Sequence, residues 1–285
     1  MNRAKILDGR LLAKQLQVQL EKRVEGLKQK GVQPRLEIIV AAQDPASIAY
    51  VKMKQLWAKK IGVESGTYEV HRATTQKELL EKIADYNQNK KVHGVLIQHP
   101  LPQQVDEPSL LLALGAEKDV DGMTPHSLGN LVSDLPGFRC ATALGIMTLL
   151  EEYQIPIARK RALVIGRSII VGKPVSLMLL QKNATVTIAH SLTENLLSLC
   201  KEADILVAAV GRPEMIQGEW IKPEAVIIDA GYSKLEGRLK DVGDVHFESA
   251  SSIASWITPV PGGVGPMTVI SLLRNTIDAA EKTLR

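Results

Sequence analysis

Apolar positions recur along the chain with two periods. From Gly9 to Lys30, Leu12, Leu16, Leu20, Val24 and Leu27 follow helical spacing and Gly31 closes the run, which predicts an amphipathic helix with a glycine stop. The unbroken LEIIVAA after it, and HGVLIQ further on, read as strands buried on both faces. Between them SIAYVKMKQLW opens a helix, GTYEV makes a strand, and Thr75 with Glu78 forms a capping box for a helix through Asn87. A second series begins with a helix from Ala143 to Tyr153 and continues through RALVIG, a helix from about Val171, TVTIAHS, a helix, ILVAAV and AVIIDAG. This alternation predicts an α/β fold of two domains with mainly parallel sheets and ligands at the carboxyl ends of the strands. The intervening VDGMTPHSLGNLVSDLPGFRCATALG is rich in Gly, Pro, Asp and Ser, which puts the boundary near residue 140. The expected division is an N-terminal catalytic domain over 1–140, a Rossmann-type nucleotide-binding domain over 141–265 and a last helix over 266–285. A cleft between domains would suit a reaction of two substrates.

The helix from Ser47 raises a question of chemistry. At about 100° per residue, Ser47, Tyr50, Lys54, Trp57 and Ile61 share a stripe while Lys52 and Lys59 face away. An ammonium drawn into such a stripe loses hydration and becomes a free amine near neutral pH; alternatively its stem lies along the stripe and its head reaches water. Gln98 ends the strand HGVLIQ, where an uncharged amide can accept from a lysine without stabilising its charge. Asp121, in the turn KDVDG, reads either as a site carboxylate or as a turn cap.

Composition narrows the classes. At 285 residues there is room for two ordinary domains. A net charge of +4, from 35 basic and 31 acidic residues spread without dense blocks, argues against nucleic acid and suits small anionic ligands. Cys140 and Cys200 form neither a metal-type pair nor a disulfide framework, so no metal is expected and a reducing compartment is. The start lacks a signal-type apolar run and no stretch approaches the roughly 18 apolar residues of a membrane span. A cytoplasmic protein without membrane association follows.

In the second series LVIGRSIIVGKPVSL places Gly166 at a strand end and Gly172 near a helix start, a variant of the dinucleotide loop whose helix N-terminus suits a pyrophosphate. An ordinary strand-to-helix turn is the plainer reading. The next strand ends in AHSLT, with no acidic residue for a ribose 2′-hydroxyl. His190 and Ser191, with Arg167 as cation, fit a 2′-phosphate instead, so NADP is expected ahead of NAD. In ITPVPGGVGPMT the glycines Gly262, Gly263 and Gly265 leave the backbone bare for a flat ligand or phosphate, and Pro266 starts a helix.

Taken in order, DPASIAYVKMK, GVLIQHPLP, KDVDG with Pro125 and Gly129, GRSIIVGKP and TPVPGGVGPMT resemble the methylenetetrahydrofolate dehydrogenase/cyclohydrolase family over nearly the whole chain. The resemblance implies that Lys54 is the catalytic lysine, Tyr50 the ring that packs on the folate, Gln98 the lysine's partner and Asp121 the residue that holds the pterin. It implies substrate contacts at Ser47, Tyr50, Asp121, Pro261, Gly262 and Gly263. For the cofactor it implies Gly166, Arg167, Ser168, Gly172, His190, Ser191 and Thr142. A homodimer, a last helix packed on the first domain, and a role in one-carbon metabolism and purine biosynthesis are implied too. Two departures stand out: CATALG, residues 140 to 145, where the family usually reads Pro-Cys-Thr-Pro-x-Gly near the nicotinamide, and His99 where the family often has an aliphatic residue. The competing readings are a dehydrogenase resembling shikimate dehydrogenases and a non-catalytic folate- or nucleotide-binding protein.

Overall fold

A computed structural model describes residues 3–234 and 241–284. In chain order the elements are β1 (Lys5–Ile6), α1 (Gly9–Gln29), β2 (Arg35–Ala41), α2 (Pro45–Ile61), β3 (Glu64–Val70), α3 (Gln76–Gln88), β4 (Gly94–Ile97), α4 (Glu107–Ala113), α5 (Pro125–Val132), α6 (Ala141–Glu152), β5 (Arg161–Ile165), α7 (Gly172–Gln181), β6 (Thr185–Ala189), α8 (Leu196–Glu202), β7 (Ile205–Ala208), β8 (Val226–Asp229), α9 (Phe247–Ser251), β9 (Trp256–Ile257) and α10 (Val264–Lys282). The chain forms two compact units, Met1–Lys14 with Thr142–Thr268, and Gln15–Ala141 with Val269–Arg285.

The first unit is built on a six-stranded sheet ordered β1-β9-β8-β7-β5-β6, every pair parallel. Leu163, Ile165, Leu206, Ala208, Ile227 and Ile257 are buried along it, as expected of strands covered by helices on both faces. The second unit holds a parallel sheet ordered β3-β2-β4. Its central strand buries Leu36, Ile38 and Ile39 completely, so the unbroken apolar run has the reason the sequence suggested. Here α1 is tied to α10 by Arg23, which donates to Asp278 and Glu281 at 2.5 and 2.8 Å.

Two helices start earlier than their sequence suggested. The last begins at Val264, which makes Pro266 its third residue; the first four amides of a helix have no internal acceptor, so a proline there costs no hydrogen bond. Helix α6 begins at Ala141, and the CATALG stretch after Cys140 therefore opens the helix, without either proline of the family pattern.

Candidate functional site

Helix α2 and strand β4 bring the lysine and its partners together. Lys54 is only 4% exposed, so its head does not escape to water. Its Nζ donates to Gln98 Oε1 at 2.7 Å and lies 4.5 Å from the centre of the Tyr50 ring. The Gln98 amide is fixed in this orientation, because its Nε2 donates to the His99 carbonyl at 2.9 Å and its backbone continues the sheet by donating to Ile39 O. Burial lowers the Lys54 pKa to about 8, against the opposing pull of Asp121. The stripe arithmetic held for Ser47 and Ile61, buried with Lys54, and for Lys52 and Lys59, which are exposed; Tyr50 and Trp57 are half-buried. Ser47 sits in the first turn of α2, where its hydroxyl donates to Asp44 and, at 3.2 Å, to the same His99 carbonyl.

The KDVDG turn divides two tasks between its aspartates. Asp119, buried and passed over in the sequence, is the turn cap: its carboxylate accepts from the amides of Met123 and Thr124 at 3.0 and 2.8 Å. Asp121 is left for other work. Burial raises its pKa to about 6, Lys54 pulls it back, and the Ala141 amide at the start of α6 donates to it. The altered CATALG turn thus still supports Asp121 through its backbone. The Cys140 thiol donates to Gly122 O at 3.1 Å, and Gly145 is retained for packing, since a Cβ there would lie 2.9 Å from the Met267 backbone.

The residues expected on the nucleotide side are all in the first unit. Strands β5 and β6 are in register at Ile165 and Ala189, and Gly166 N donates to Ala189 O, so Gly166–Arg167 and His190–Ser191 leave neighbouring strand ends side by side. Gly166 has φ +123°, and a Cβ on Gly172 would lie 2.2 Å from the Gly166 carbonyl oxygen; both glycines are needed for this turn. The first amides of α7 are not idle, however. Val171 and Gly172 donate to Ser168 Oγ at 3.1 and 3.3 Å and Lys173 to Ser168 O, so a phosphate at this terminus competes with a serine cap. The His190 ring accepts from Leu192 N at 3.2 Å, while Arg167 and Ser191 are exposed. Gly262 (φ +121°) accepts from Arg10 N. The bareness at Gly263 is spent internally: a Cβ on Gly9 would lie 1.9 Å from its carbonyl oxygen. Pro261 is exposed beside it, and Thr142 Oγ1 accepts from Thr268 Oγ1 at 3.2 Å.

Sequence reasoning also missed Asp244, fully buried, whose carboxylate accepts the amides of Val210, Gly211 and Arg212 at 2.6 to 3.1 Å and so shapes the loop after β7. Its only signal was VGDV, in which a single glycine, Gly243, precedes it outside any motif.

A parallel nucleotide-type sheet with a bare strand-to-helix turn, and a small sheet presenting a buried lysine, are the parts of a two-domain nicotinamide-dependent α/β enzyme. Residues 140–284 match the model of the NAD(P)-binding domain of tetrahydrofolate dehydrogenase/cyclohydrolase, and residues 7–121 match its catalytic domain. The chain belongs to that family. It is 48% identical over 279 residues to the bifunctional protein FolD of Moorella thermoacetica, covering 98% of this chain and 99% of that protein. The crystal structure of bifunctional FolD from Campylobacter jejuni superposes with a TM-score of 0.96 at 39% identity, covering 98% and 99% of the two chains. FolD of Trypanosoma brucei, solved with NADP cofactor and an inhibitor, superposes at 0.95 and 35% identity over all of both chains. Membership favours the folate enzyme over a shikimate-type dehydrogenase and over a non-catalytic binding protein. Among the described residues no helix is long and apolar enough to cross a membrane.

Proposed function

We propose that this chain oxidises 5,10-methylenetetrahydrofolate with NADP⁺ and hydrolyses the methenyl product to 10-formyltetrahydrofolate, with Lys54 handling the protons of the hydrolysis. The observation that carries this is a lysine sealed from water, bonded to a neutral amide, with its pKa lowered to about 8. At pH 7 about one such lysine in ten is a free amine, against fewer than about one in a thousand for an exposed one.

In the hydrolysis a water oxygen bonds to the bridging carbon and the bond from that carbon to one folate nitrogen breaks. Of water's two hydrogens, one ends on that nitrogen and one leaves as a proton. Free Lys54 draws the first proton from water, and Gln98 holds the amine in place without the carboxylate charge that would lock it as ammonium. Tyr50 offers a flat face beside it for an aromatic ring of the substrate, and Ser47 keeps the start of α2 against β4. Asp121, supported by the Ala141 amide, accepts hydrogen bonds from the N–H groups of a pterin. The dehydrogenation needs no such proton handling, because the nitrogen lone pair supports the developing cation.

Bound NADP⁺ supplies the hydride acceptor. Gly166 and Gly172 would leave the turn open to its diphosphate, with the amides now capped by Ser168 as the donors it would compete for, and Arg167 with Ser191 and His190 would meet the 2′-phosphate; the absence of an acid at the end of β6 favours NADP over NAD. Thr142, Pro261, Gly262 and Gly263 complete the proposed ligand contacts. The active species is a homodimer, for which the outer edge of β6, paired by no described strand, is the support, and the formyl product fits a cytoplasmic role in one-carbon metabolism and purine biosynthesis.

The test is to mix purified protein with methylenetetrahydrofolate and either NADP⁺ or NAD⁺, following reduced nicotinamide and the methenyl intermediate by absorbance. Reduction that is faster with NADP⁺, with little methenyl build-up, is expected. Lys54→Ala should lower hydrolysis at least a hundredfold, the scale of acid–base catalysis, while dehydrogenation stays within tenfold. Hydrolysis at the normal rate in that variant removes Lys54 from its role.

A further inference from the structure

Strand order in the first unit sets two loops against each other. The chain passes from β5 to β6 on one side and returns to β7 on the other, giving the order β7-β5-β6. The loops after β5 and β7 therefore diverge at the point where an open parallel sheet collects its ligand. The two loops touch through their backbones: Ala209 N donates to Ile165 O at 2.8 Å, and a Cβ on Gly166 would lie 2.3 Å from the Ala209 carbonyl oxygen. Beyond Ala209, three successive amides turn towards one carboxylate. Asp244 Oδ2 accepts from Val210 N and Gly211 N at 2.6 and 3.1 Å, and Oδ1 from Arg212 N at 2.7 Å. Amides that converge in this way make an anion site, and the fully buried Asp244 fills it. The aspartate is itself held from both sides. Its amide donates to Asp229 Oδ1 at 2.9 Å, and its carbonyl accepts from Ile216 N at 3.0 Å. A Cβ on Gly231 would lie 2.3 Å from Asp244 Cγ, so a bare backbone makes room for the carboxylate. Val210 is half-buried while Gly211 and Arg212 are exposed, so the loop is clamped on its inner side and open on the other. The amides of Val171 and Gly172 at the start of α7, by contrast, are capped only by the neutral hydroxyl of Ser168.

We propose that Asp244 positions NADP in this chain: it fixes the loop after β7 against the Gly166 turn and closes that loop's amides to phosphate, which leaves the start of α7 as the place for the diphosphate. Asp244 is sealed from solvent and cannot reach a ligand, so it is a positioning residue and not a catalytic one. The physical basis is its charge. A carboxylate holds N–H donors about twice as strongly as a neutral acceptor does, and removing it leaves three amides without their partner. Once the loop is released, the surface beside Gly166 on which the cofactor rests shifts, while proton handling at Lys54 is untouched. The inference rests on the reading of the first unit as an NADP site.

The experiment compares wild type with Asp244→Asn, Gly211→Val and Gly211→Asn. It measures kcat and the KM for NADP⁺, the Kd for NADPH by its fluorescence, and the hydrolysis of supplied methenyltetrahydrofolate. In Asp244→Asn one acceptor oxygen becomes an NH2 group, which faces N–H donors and cannot accept from them. The KM for NADP⁺ and the Kd for NADPH should rise about tenfold, less than the roughly hundredfold cost of misplacing reacting groups by about 1 Å. Both kcat and hydrolysis should stay within about twofold. Gly211 tests the same loop without touching the buried carboxylate: its φ is +66°, and no described atom lies within 4 Å of the place a Cβ would take. Valine there is strained only through its backbone, whereas asparagine tolerates this region. Gly211→Val should therefore reproduce the rise in KM, and Gly211→Asn should stay within about twofold of wild type. Normal KM and Kd in a folded Asp244→Asn overturn the positioning role, as does an equal loss of hydrolysis, which would show general damage. Should that variant fail to fold, normal NADPH binding in Gly211→Val, or equal impairment in Gly211→Asn, overturns it in the same way. Wild type separates the two ideas: no NADPH binding there sinks the cofactor reading together with this inference, whereas normal binding in wild type and variants alike sinks the inference alone.

Discussion

The burial of Lys54 works against the fold, and the conflict has a pH signature. Its folded pKa is about 8 against about 10.4 in an unfolded chain. Between those values the unfolded state holds more protons, so this group makes stability rise with pH from about 8 to about 10.4, by up to roughly 3 kcal/mol, and its cost is fully present below pH 8. Asp121 has the mirror behaviour. Its pKa is raised to about 6, so its cost is full above pH 6 and is relieved as pH falls from there towards the unfolded value of about 3.9. Burial also raises the thiols of Cys140 and Cys200, which makes stability fall above about pH 8.5 in every variant that keeps them. The difference between wild type and Lys54→Met cancels that contribution. Urea unfolding should find Lys54→Met the more stable protein at pH 7.5, with the gap closing by up to about 1.4 kcal/mol per pH unit between pH 8 and 10; a gap independent of pH would mean the lysine is not buried as a free amine. The sequence placed Lys54 on the apolar stripe but left open whether its head reached water. That depended on the approach of β4, a strand 40 residues away in the chain, and on the Gln98 amide it delivers.

The strand-to-helix turn from β5 to α7 is the element whose geometry was most legible, because only glycine fits its two tight positions. A Cβ on Gly172 would lie 2.2 Å from the Gly166 carbonyl oxygen and 2.9 Å from Arg167 N. These are backbone atoms and cannot swing aside, so Gly172→Ala must displace the turn or the start of α7. Gly172→Ala should therefore raise the KM for NADP⁺ at least tenfold and leave hydrolysis of supplied methenyltetrahydrofolate within twofold, since Lys54, Gln98 and Asp121 belong to the other unit. Equal loss of both activities would show that the substitution damages the whole chain. Other elements hid their roles. Sequence could not say which aspartate of KDVDG caps the turn, because both have the side chain for it; the direction of the chain after Gly122 gives that task to Asp119. Nor did spacing pair His99 with Glu107, which meet across the loop between β4 and α4. The serine cap on α7 was equally silent, since Ser168 reads as one more residue of a phosphate loop.

At the scale of the whole molecule the open question is what covers β6. It is the last strand of the six-stranded sheet and no described strand pairs with its outer edge. Four of its five residues, Thr185 to Ile188, are exposed or only partly buried. Around it Leu180 is 56% exposed, Ile188 42% and Leu192 76%. A bare edge flanked by large apolar side chains invites pairing with another strand, and a protein that leaves such an edge without charges or proline normally covers it. Lys182 lies outside β6, and TVTIA itself carries neither a charge nor a proline. A second copy satisfies the edge economically, since a two-fold axis beside β6 pairs the strand with itself and closes the assembly at two chains. Sedimentation should accordingly give twice the 31.1 kDa chain mass. Thr187→Pro removes an edge amide and Ile188→Lys places a charge among the apolar side chains, so each should shift the population to monomer. Both substitutions lie outside the residues proposed to bind folate, so hydrolysis per chain should persist in the monomer. A wild-type monomer in solution would dispose of the dimer; a dimer unmoved by either change would place its interface elsewhere and leave the β6 edge to be explained by another partner.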